Sequence, residues 1–260
     1  MDKNIGTERT VHGRRWNTFH GGYFSNPMLA RPLIKIAKAI LGESSADVIV
    51  DLGGGTGFLL SQLRSDYVAG DTALVNVDCS EDQIVLSDMG GITSLCTGIG
   101  SFKRGDVASK GSRAFFIMRS VLHYFGEVGL QPFLRHLRSQ AKPGEFFVHQ
   151  TASFDNEEEA ACLNALYRHM RTHKWYPTVN DLKKRLINSG WLVRGTASAP
   201  SLRLTSDDLG LRYELDSYDI ARIREMMWEE CGETRGVFRL MPGGFQAKLR
   251  YRIYSCVAVA

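Results

Sequence analysis

The sequence has no apolar run approaching the ~20 residues that a bilayer-spanning helix requires, so no segment is a candidate membrane span. The first 15 residues carry charges of both signs and lack the apolar stretch of a signal peptide. Cysteine is sparse: Cys79, Cys96, Cys162, Cys231 and Cys256 are scattered, and none forms a CxxC pair. An odd count without zinc spacing points to reduced thiols in a cytoplasmic protein, not to a disulfide framework. There is no long basic run either, because the formal charge of +4 is spread along the chain. Nucleic acid is therefore permitted as a partner but not indicated. Internal repeats and low-complexity linkers are absent, which argues against a solenoid or a string of tethered modules.

What remains is ordinary globular composition, 43% apolar and 23% charged over 260 residues. That length suits one large α/β domain with insertions. Residues 1–26 are polar and aromatic, with Arg14, Arg15, Trp16, His20, Gly21, Gly22 and Tyr23 close together. Helical apolar spacing follows over 27–41, at Leu33, Ile36, Ala37 and Ile40. Strands and helices then alternate. Strands are expected at 47–52, 73–77, 114–118 and 145–149, and helices at 58–64, 80–88 and about 130–140. Such alternation implies a parallel sheet covered on both faces. Beyond residue 153 the pattern changes to a helix over 156–174, a helix over 181–188 and a strand beginning at 191. Some 45 residues, 204–247, then precede a terminal strand over 248–260. They carry a helix near 218–230, and a long excursion of this kind on an α/β core usually covers a site.

The segment DVIVDLGGGTG (47–57) is the strongest signal. An apolar strand ends in Asp51, and Gly53, Gly54, Gly55 and Gly57 follow before a helix. Glycine permits a sharp turn and close approach of a ligand to the backbone, and the helix amino terminus suits a carboxylate. Asp51 can accept from an ammonium group. A ligand with both groups is an amino acid, such as the methionine of S-adenosyl-L-methionine. A dinucleotide site needs GxGxxG, and here the third glycine comes one residue early. Asp78 ends the second strand, 21 residues beyond Gly57, where an acid can take both hydroxyls of a ribose or cap the following helix.

With these residues the chain resembles the class I, Rossmann-like S-adenosylmethionine-dependent methyltransferases over about 45–153. The resemblance implies a doubly wound seven-stranded sheet, mostly parallel with an antiparallel last strand, and S-adenosyl-L-methionine as cofactor. In that family a Gly-Asp before the fourth strand contacts adenine. Gly105-Asp106 matches it, so Asp106 and Val107 are expected at the adenine amino group. Cys79, Arg119 and Ser120 complete the expected cofactor set, and Tyr23 is expected near the methionine carboxylate on a flap formed by the amino-terminal residues.

IMRSVLHYF (117–125) is similar to the segment of small-molecule O-methyltransferases that ends in Arg-Xaa-Val-Leu-His-Asp-Trp. In the plant-type members that histidine deprotonates the acceptor. His123 matches it and Arg119 matches the arginine, whereas Tyr124-Phe125 replace Asp-Trp. His149, Trp175 and Tyr176 are expected to line the acceptor pocket. His169 and His173, four apart on the expected helix, have metal spacing, but the neighbouring Arg168, Arg171 and Lys174 favour a solvated basic face, and no metal is expected. The expected organisation is a single methyltransferase domain over 1–260. It comprises an amino-terminal helical flap (1–45), a cofactor core (46–153), cap insertions (154–190 and 204–247) and a last strand (248–260). The expected function is methylation of a small molecule, first at oxygen. Methylation of RNA or protein, and cofactor binding without catalysis, are the alternatives, and the oligomeric state stays open.

Overall fold

The computed structural model describes residues 19–66, 72–87 and 91–260, so Arg14, Arg15 and Trp16 lie outside the described residues. Among the described residues there are ten strands: β1 (Val48–Leu52), β2 (Ala73–Asp78), β3 (Ile92–Cys96), β4 (Ala114–Arg119), β5 (Phe146–Ala152), β6 (Trp191–Ser198), β7 (Leu202–Thr205), β8 (Phe238–Met241), β9 (Gly244–Leu249) and β10 (Tyr251–Ala258). Seven form one sheet in the order β3-β2-β1-β4-β5-β10-β6, and β7-β9-β8 form a second. In the large sheet β10 is antiparallel to both neighbours, and the remaining pairs are parallel. The doubly wound sheet with a reversed last strand is therefore present.

The central strands are largely apolar because both faces are covered. Val48, Val50 and Leu52 pack on one side with Phe116, Met118 and Phe147, beneath helices α5 (Gly126–Gln140) and α7 (Val179–Ile187). Ile49, Phe115, Ile117 and Val148 pack on the other, beneath α1 (Pro27–Glu43) and α2 (Phe58–Asp66). Each such fully buried side chain contributes roughly 1.5–3 kcal/mol of transfer free energy. α1 starts where Asn26 accepts from the Met28 N–H and Pro27 occupies the first helical position.

A third apolar cluster lies at the end of the sheet where β5 stops. It joins Tyr23, Ala152, Phe154 and Tyr251 to α6 (Glu157–His169), α9 (Ser217–Glu230) and the small sheet. Segments 19–26, 154–177 and 204–247 thus meet at the carboxyl ends of the parallel strands, where open α/β sheets bind ligands.

Two expectations are corrected. α6 ends at His169, because Arg171 adopts a left-handed backbone, so His173 is not on that helix. His169 instead pairs with Glu230 at 2.8 Å. The terminal strand begins at Tyr251, since Lys248 and Leu249 belong to β9 and Arg250 turns out of both strands toward Asp155 and Glu159. Strand β3 supplies the seventh strand of the large sheet, and the small sheet is an addition to the expected fold. β3 is short and only Ile92 is buried, while the small sheet interrupts what looked like a helical cap. Among the described residues no helix is long and apolar enough to cross a membrane.

At the amino ends of β4 and β5, Glu145 is buried and accepts from Arg104 (2.7 and 2.8 Å), from the Ala114 N–H and from the Lys142 N–H. This carboxylate fixes where both strands begin. Glu145→Ala removes the Arg104 ion pair, although Arg104 keeps the Gln140 and Ser112 carbonyls, and leaves two N–H donors without their acceptor, so it should cost at least roughly 1–3 kcal/mol of stability. Urea denaturation would check this, and a loss below ~1 kcal/mol would show the hub to be dispensable.

Candidate active site

β1 delivers Asp51 to the base of the glycine loop with no exposure, and neither of its carboxylate oxygens has a hydrogen-bond partner. Asn76, also fully buried, donates from Nδ2 to the Gly55 carbonyl at 2.8 Å, and its Oδ1 is likewise unpartnered. These atoms converge on Gly54, where an added Cβ would collide with Asn76 Oδ1 and Asp51 Oδ2. Three orphaned acceptors around one residue without a side chain are complementary to a group with several N–H donors. Burial pushes the Asp51 carboxyl up to about 8, Asp78 adds to this, and Arg119 opposes it.

Asp78, at the end of β2, staples the loop. It accepts from the Gly55 N–H (2.9 Å) through one oxygen and from the Ser80 N–H (2.9 Å) through the other. Each oxygen keeps a second lone pair. Gly55 favours glycine through its φ of 56°, and a Cβ there would also have to displace the Gln83 side-chain oxygen. Cys79 beside Asp78 is exposed. Asn76, Gln83 and Gln150 were missed by sequence reasoning. The only signal was a polar residue inside an apolar strand or on the inner side of α3 (Glu81–Ser87).

Arg119, the last residue of β4, ties the amino-terminal segment to the sheet. Its guanidinium donates to the carbonyls of Phe24 (3.0 Å) and Tyr23 (3.3 Å) and lies 5.4 Å from the centre of the Tyr23 ring. Its buried Nε has no partner. Tyr23 hydrogen bonds to the Pro200 carbonyl and accepts from Gln150 at 3.3 Å, and burial raises its hydroxyl far above the ordinary range. Ser120 takes a left-handed backbone, donates its N–H to the Gln150 carbonyl at 2.8 Å, and shares a 2.6 Å hydrogen bond with Tyr251.

The chain then turns through a 3-10 segment, Leu122–Phe125. Val121 approaches to 2.8 Å of a Cβ placed on Gly53, which sets this turn against the glycine loop. His123 is buried and stacks on Tyr176, with ring centres 5.3 Å apart. Asn164 holds Tyr176 by a reciprocal pair of hydrogen bonds (2.8 and 2.9 Å), and the Trp175 N–H donates to the His123 carbonyl at 3.2 Å. Tyr176 therefore reaches His123, whereas Trp175 turns toward α7, under the Arg185 guanidinium at 4.8 Å.

Two groups of expected residues lie elsewhere. Gly105, Asp106 and Val107 form the short helix α4 (Arg104–Val107), and Arg104 anchors it to Glu145 at the amino ends of the strands. Asp106 is exposed and accepts from the Lys103 N–H at 2.8 Å, while Val107 is buried in the core. This edge is opposite the glycine loop, so the adenine expectation for these three residues is corrected. The loop beside Asp78 is instead 97–101, whose Thr97 donates its N–H to the Asp78 carbonyl at 3.0 Å. His149 does not end its strand, which continues to Ala152. It lies fully buried mid-strand, its ring between Phe147 and Tyr254 (4.6 and 4.9 Å), and burial holds it down at about 3. It belongs to the core, not to a pocket. Among the described residues no group of three or more His, Cys, Asp or Glu could hold a metal.

No family model and no curated protein matches the sequence. Solved structures do. The YcgJ protein of Bacillus subtilis is similar with a TM-score of 0.66 at 12% identity, over 88% of this chain and 99% of that one. The 1,6-didemethyltoxoflavin-N1-methyltransferase of Burkholderia thailandensis is similar at 0.56 and 12% identity, over 99% and 90%. A geranyl diphosphate methyltransferase is similar at 0.56 and 14%, over 89% and 80%. The chain has the class I methyltransferase fold. Identity this low carries the fold, and the chemistry is argued from the site.

The raised Asp51 carboxyl has a consequence for stability. The folded state keeps the proton up to about pH 8, whereas an unfolded aspartate releases it near 3.8. Between those values the folded state binds more protons, so this group's contribution falls as pH rises from about 4 to 8. Asp51→Asn should therefore raise the Tm of the ligand-free protein at pH 8, and the difference should shrink toward pH 4. Equal Tm values for the two proteins at pH 8 would contradict an ionised, unpartnered Asp51.

Proposed function

We propose that this chain is an S-adenosyl-L-methionine-dependent methyltransferase acting on a small molecule, at oxygen. The observation that carries the reading is the set of orphaned acceptors on Asp51 and Asn76 around Gly54. A methionine ammonium would satisfy them, and its positive charge would draw the Asp51 carboxyl down and ionise it. Asp78 would take the ribose hydroxyls with its remaining lone pairs, beside Cys79. The unpartnered Arg119 Nε–H and the start of α2 would face the carboxylate. The fold neighbours support this, since the didemethyltoxoflavin enzyme was solved with S-adenosylhomocysteine and its small acceptor bound, and the geranyl diphosphate enzyme with sinefungin.

When bound, the cofactor supplies a methyl group on a sulfonium sulfur. The chain's task is then to hold the acceptor in line and to remove its proton. His123, in the turn packed on the glycine loop, is the residue assigned to the proton, with the Tyr176 ring fixing the imidazole plane. A base of near-neutral pKa contributes typically 10²–10⁴-fold to such a step.

Calorimetry should show S-adenosylhomocysteine binding to the wild type and no binding of NAD. Gly55→Leu should abolish that binding, and Asp106→Asn should leave it unchanged. Comparable NAD affinity would refute the cofactor assignment. His123→Ala should lower turnover ~10²–10⁴-fold with cofactor affinity nearly intact, and the deficit should shrink at high pH as the acceptor ionises unaided. Turnover within a few-fold of wild type, together with a lowered Tm, would leave His123 a packing role only.

A further inference from the structure

The two buried side chains at the glycine loop set acceptor against acceptor. Asn76 is opposite Asp51 in the register of β1 and β2. Its amide cannot be turned over, because Nδ2 donates to the Gly55 carbonyl at 2.8 Å and an oxygen there would face an oxygen. Oδ1 therefore points the other way, where it and Asp51 Oδ2 would strike the same Cβ at Gly54. No donor of the chain reaches either oxygen. Two buried acceptors beside one another are unfavourable unless a hydrogen joins them. Burial is the largest influence on the Asp51 carboxyl and favours its protonated form, up to about pH 8. Asp78 from β2 acts the same way, while Arg119 from β4 opposes both with its terminal nitrogens given to the Phe24 and Tyr23 carbonyls. α1 and α2 turn Ala30, Leu33, Ala37, Leu59, Leu60 and Leu63 to this face of the sheet, with no buried charge among their described residues. α3 keeps Glu81 and Asp82 exposed, and the turn after β4 meets the loop with Val121.

We infer that the ligand-free chain keeps a proton on Asp51, directed at Asn76 Oδ1, and that the cofactor's ammonium takes its place, releasing one proton to solvent. The inference rests on the methyltransferase reading. The balance is simple: the carboxyl O–H bond breaks, its proton leaves to water, and the carboxylate left behind meets the positive charge of the ammonium. The N–H groups of that ammonium then fill the acceptors on Asp51 and Asn76 that the proton alone had joined. Proton and cofactor thus compete for one place, so the occupancy of the site depends on pH. Since the ionised carboxyl is the form that binds, affinity rises with pH and levels off above the midpoint near 8. Below it, each pH unit should weaken binding ~10-fold, the signature of one competing proton. Asn76 sets where that midpoint lies, because its fixed Oδ1 favours the protonated acid and disfavours the carboxylate.

The test is calorimetry of S-adenosylhomocysteine near neutral pH in phosphate and in imidazole, two buffers with different heats of ionisation. The difference in observed heat should correspond to the release of close to one proton per site. The Kd should fall ~10-fold for each pH unit gained on the acid side of neutrality. Asp51→Asn should release no proton at whatever affinity it retains, and Asn76→Ala should move the midpoint of the affinity profile to lower pH. Infrared spectra serve if Asp51→Asn binds too weakly for calorimetry. The carbonyl stretch of a protonated carboxyl should be present in the ligand-free wild type, absent from ligand-free Asp51→Asn, and lost from the wild type on adding S-adenosylhomocysteine. Binding with no proton released, an affinity that is flat across the acid side of neutrality, or the lack of that infrared band would each overturn the proposal. A folded Asn76→Ala with an unmoved midpoint would overturn the proton directed at Asn76. Failure of the wild type to bind S-adenosylhomocysteine at any pH would instead refute the methyltransferase reading, because the infrared band of the ligand-free protein is read without it.

Discussion

The site is organised around a carboxylate that is buried and left without a partner. Asp51 sits at the end of β1, closed off from water, with both oxygens unsatisfied. Such burial costs at least ~1–3 kcal/mol for the unmade hydrogen bonds, and more when the group is charged. The surroundings maintain that cost. Asn76 adds another orphaned acceptor, Asp78 adds negative charge while stapling Gly55, and Gly54 leaves the space empty of side chain. Arg119 is the opposing element, favouring the ionised form from the end of the neighbouring strand. These unpartnered acceptors lie beside the glycine loop at the centre of the parallel sheet.

The cap is built on different physics. Its cluster is a small antiparallel sheet with α6, α8 (Ser206–Tyr213) and α9, packed at the carboxyl end of β5, and several of its contacts are aromatic. Tyr23 stacks on Tyr251, Tyr176 on His123, and Lys174 lies among tyrosines. Aromatic walls carry large apolar area with few rotatable bonds, so they shape a pocket at small entropic cost. The glycine loop and the cap are joined at the turn after β4, where Val121 touches the glycine loop and Tyr124 touches the cap.

The corrected residues share one cause. Gly105-Asp106 carries the right dipeptide at nearly the right distance along the chain, but Arg104 next to it is bound to Glu145, which pulls the helix to the amino end of the sheet. His149 was expected at a strand end, yet the strand runs three residues further, and its side chain faces the layer of Phe147 and Tyr254. In both cases a local motif was right about residue type and wrong about which end or face of the sheet it occupied.

The sequence by itself determined the alternation of strand and helix, the glycine loop, Asp51 and Asp78 at the ends of β1 and β2, and the placing of His123 just after β4. These are local properties, since apolar periodicity and glycine spacing are written within a dozen residues and act there. Only the tertiary structure decided the partners of those residues. Asn76 meets Gly55 across 21 positions, Tyr23 meets Gln150 across 127, and His20 meets Arg212 across 192. No window of sequence encodes such pairs, because they exist only once the sheet order and the cap have brought distant segments together. Lys174 is the clearest case: along the chain it reads as part of a solvated basic face, whereas the fold buries it over the Tyr124 and Tyr213 rings.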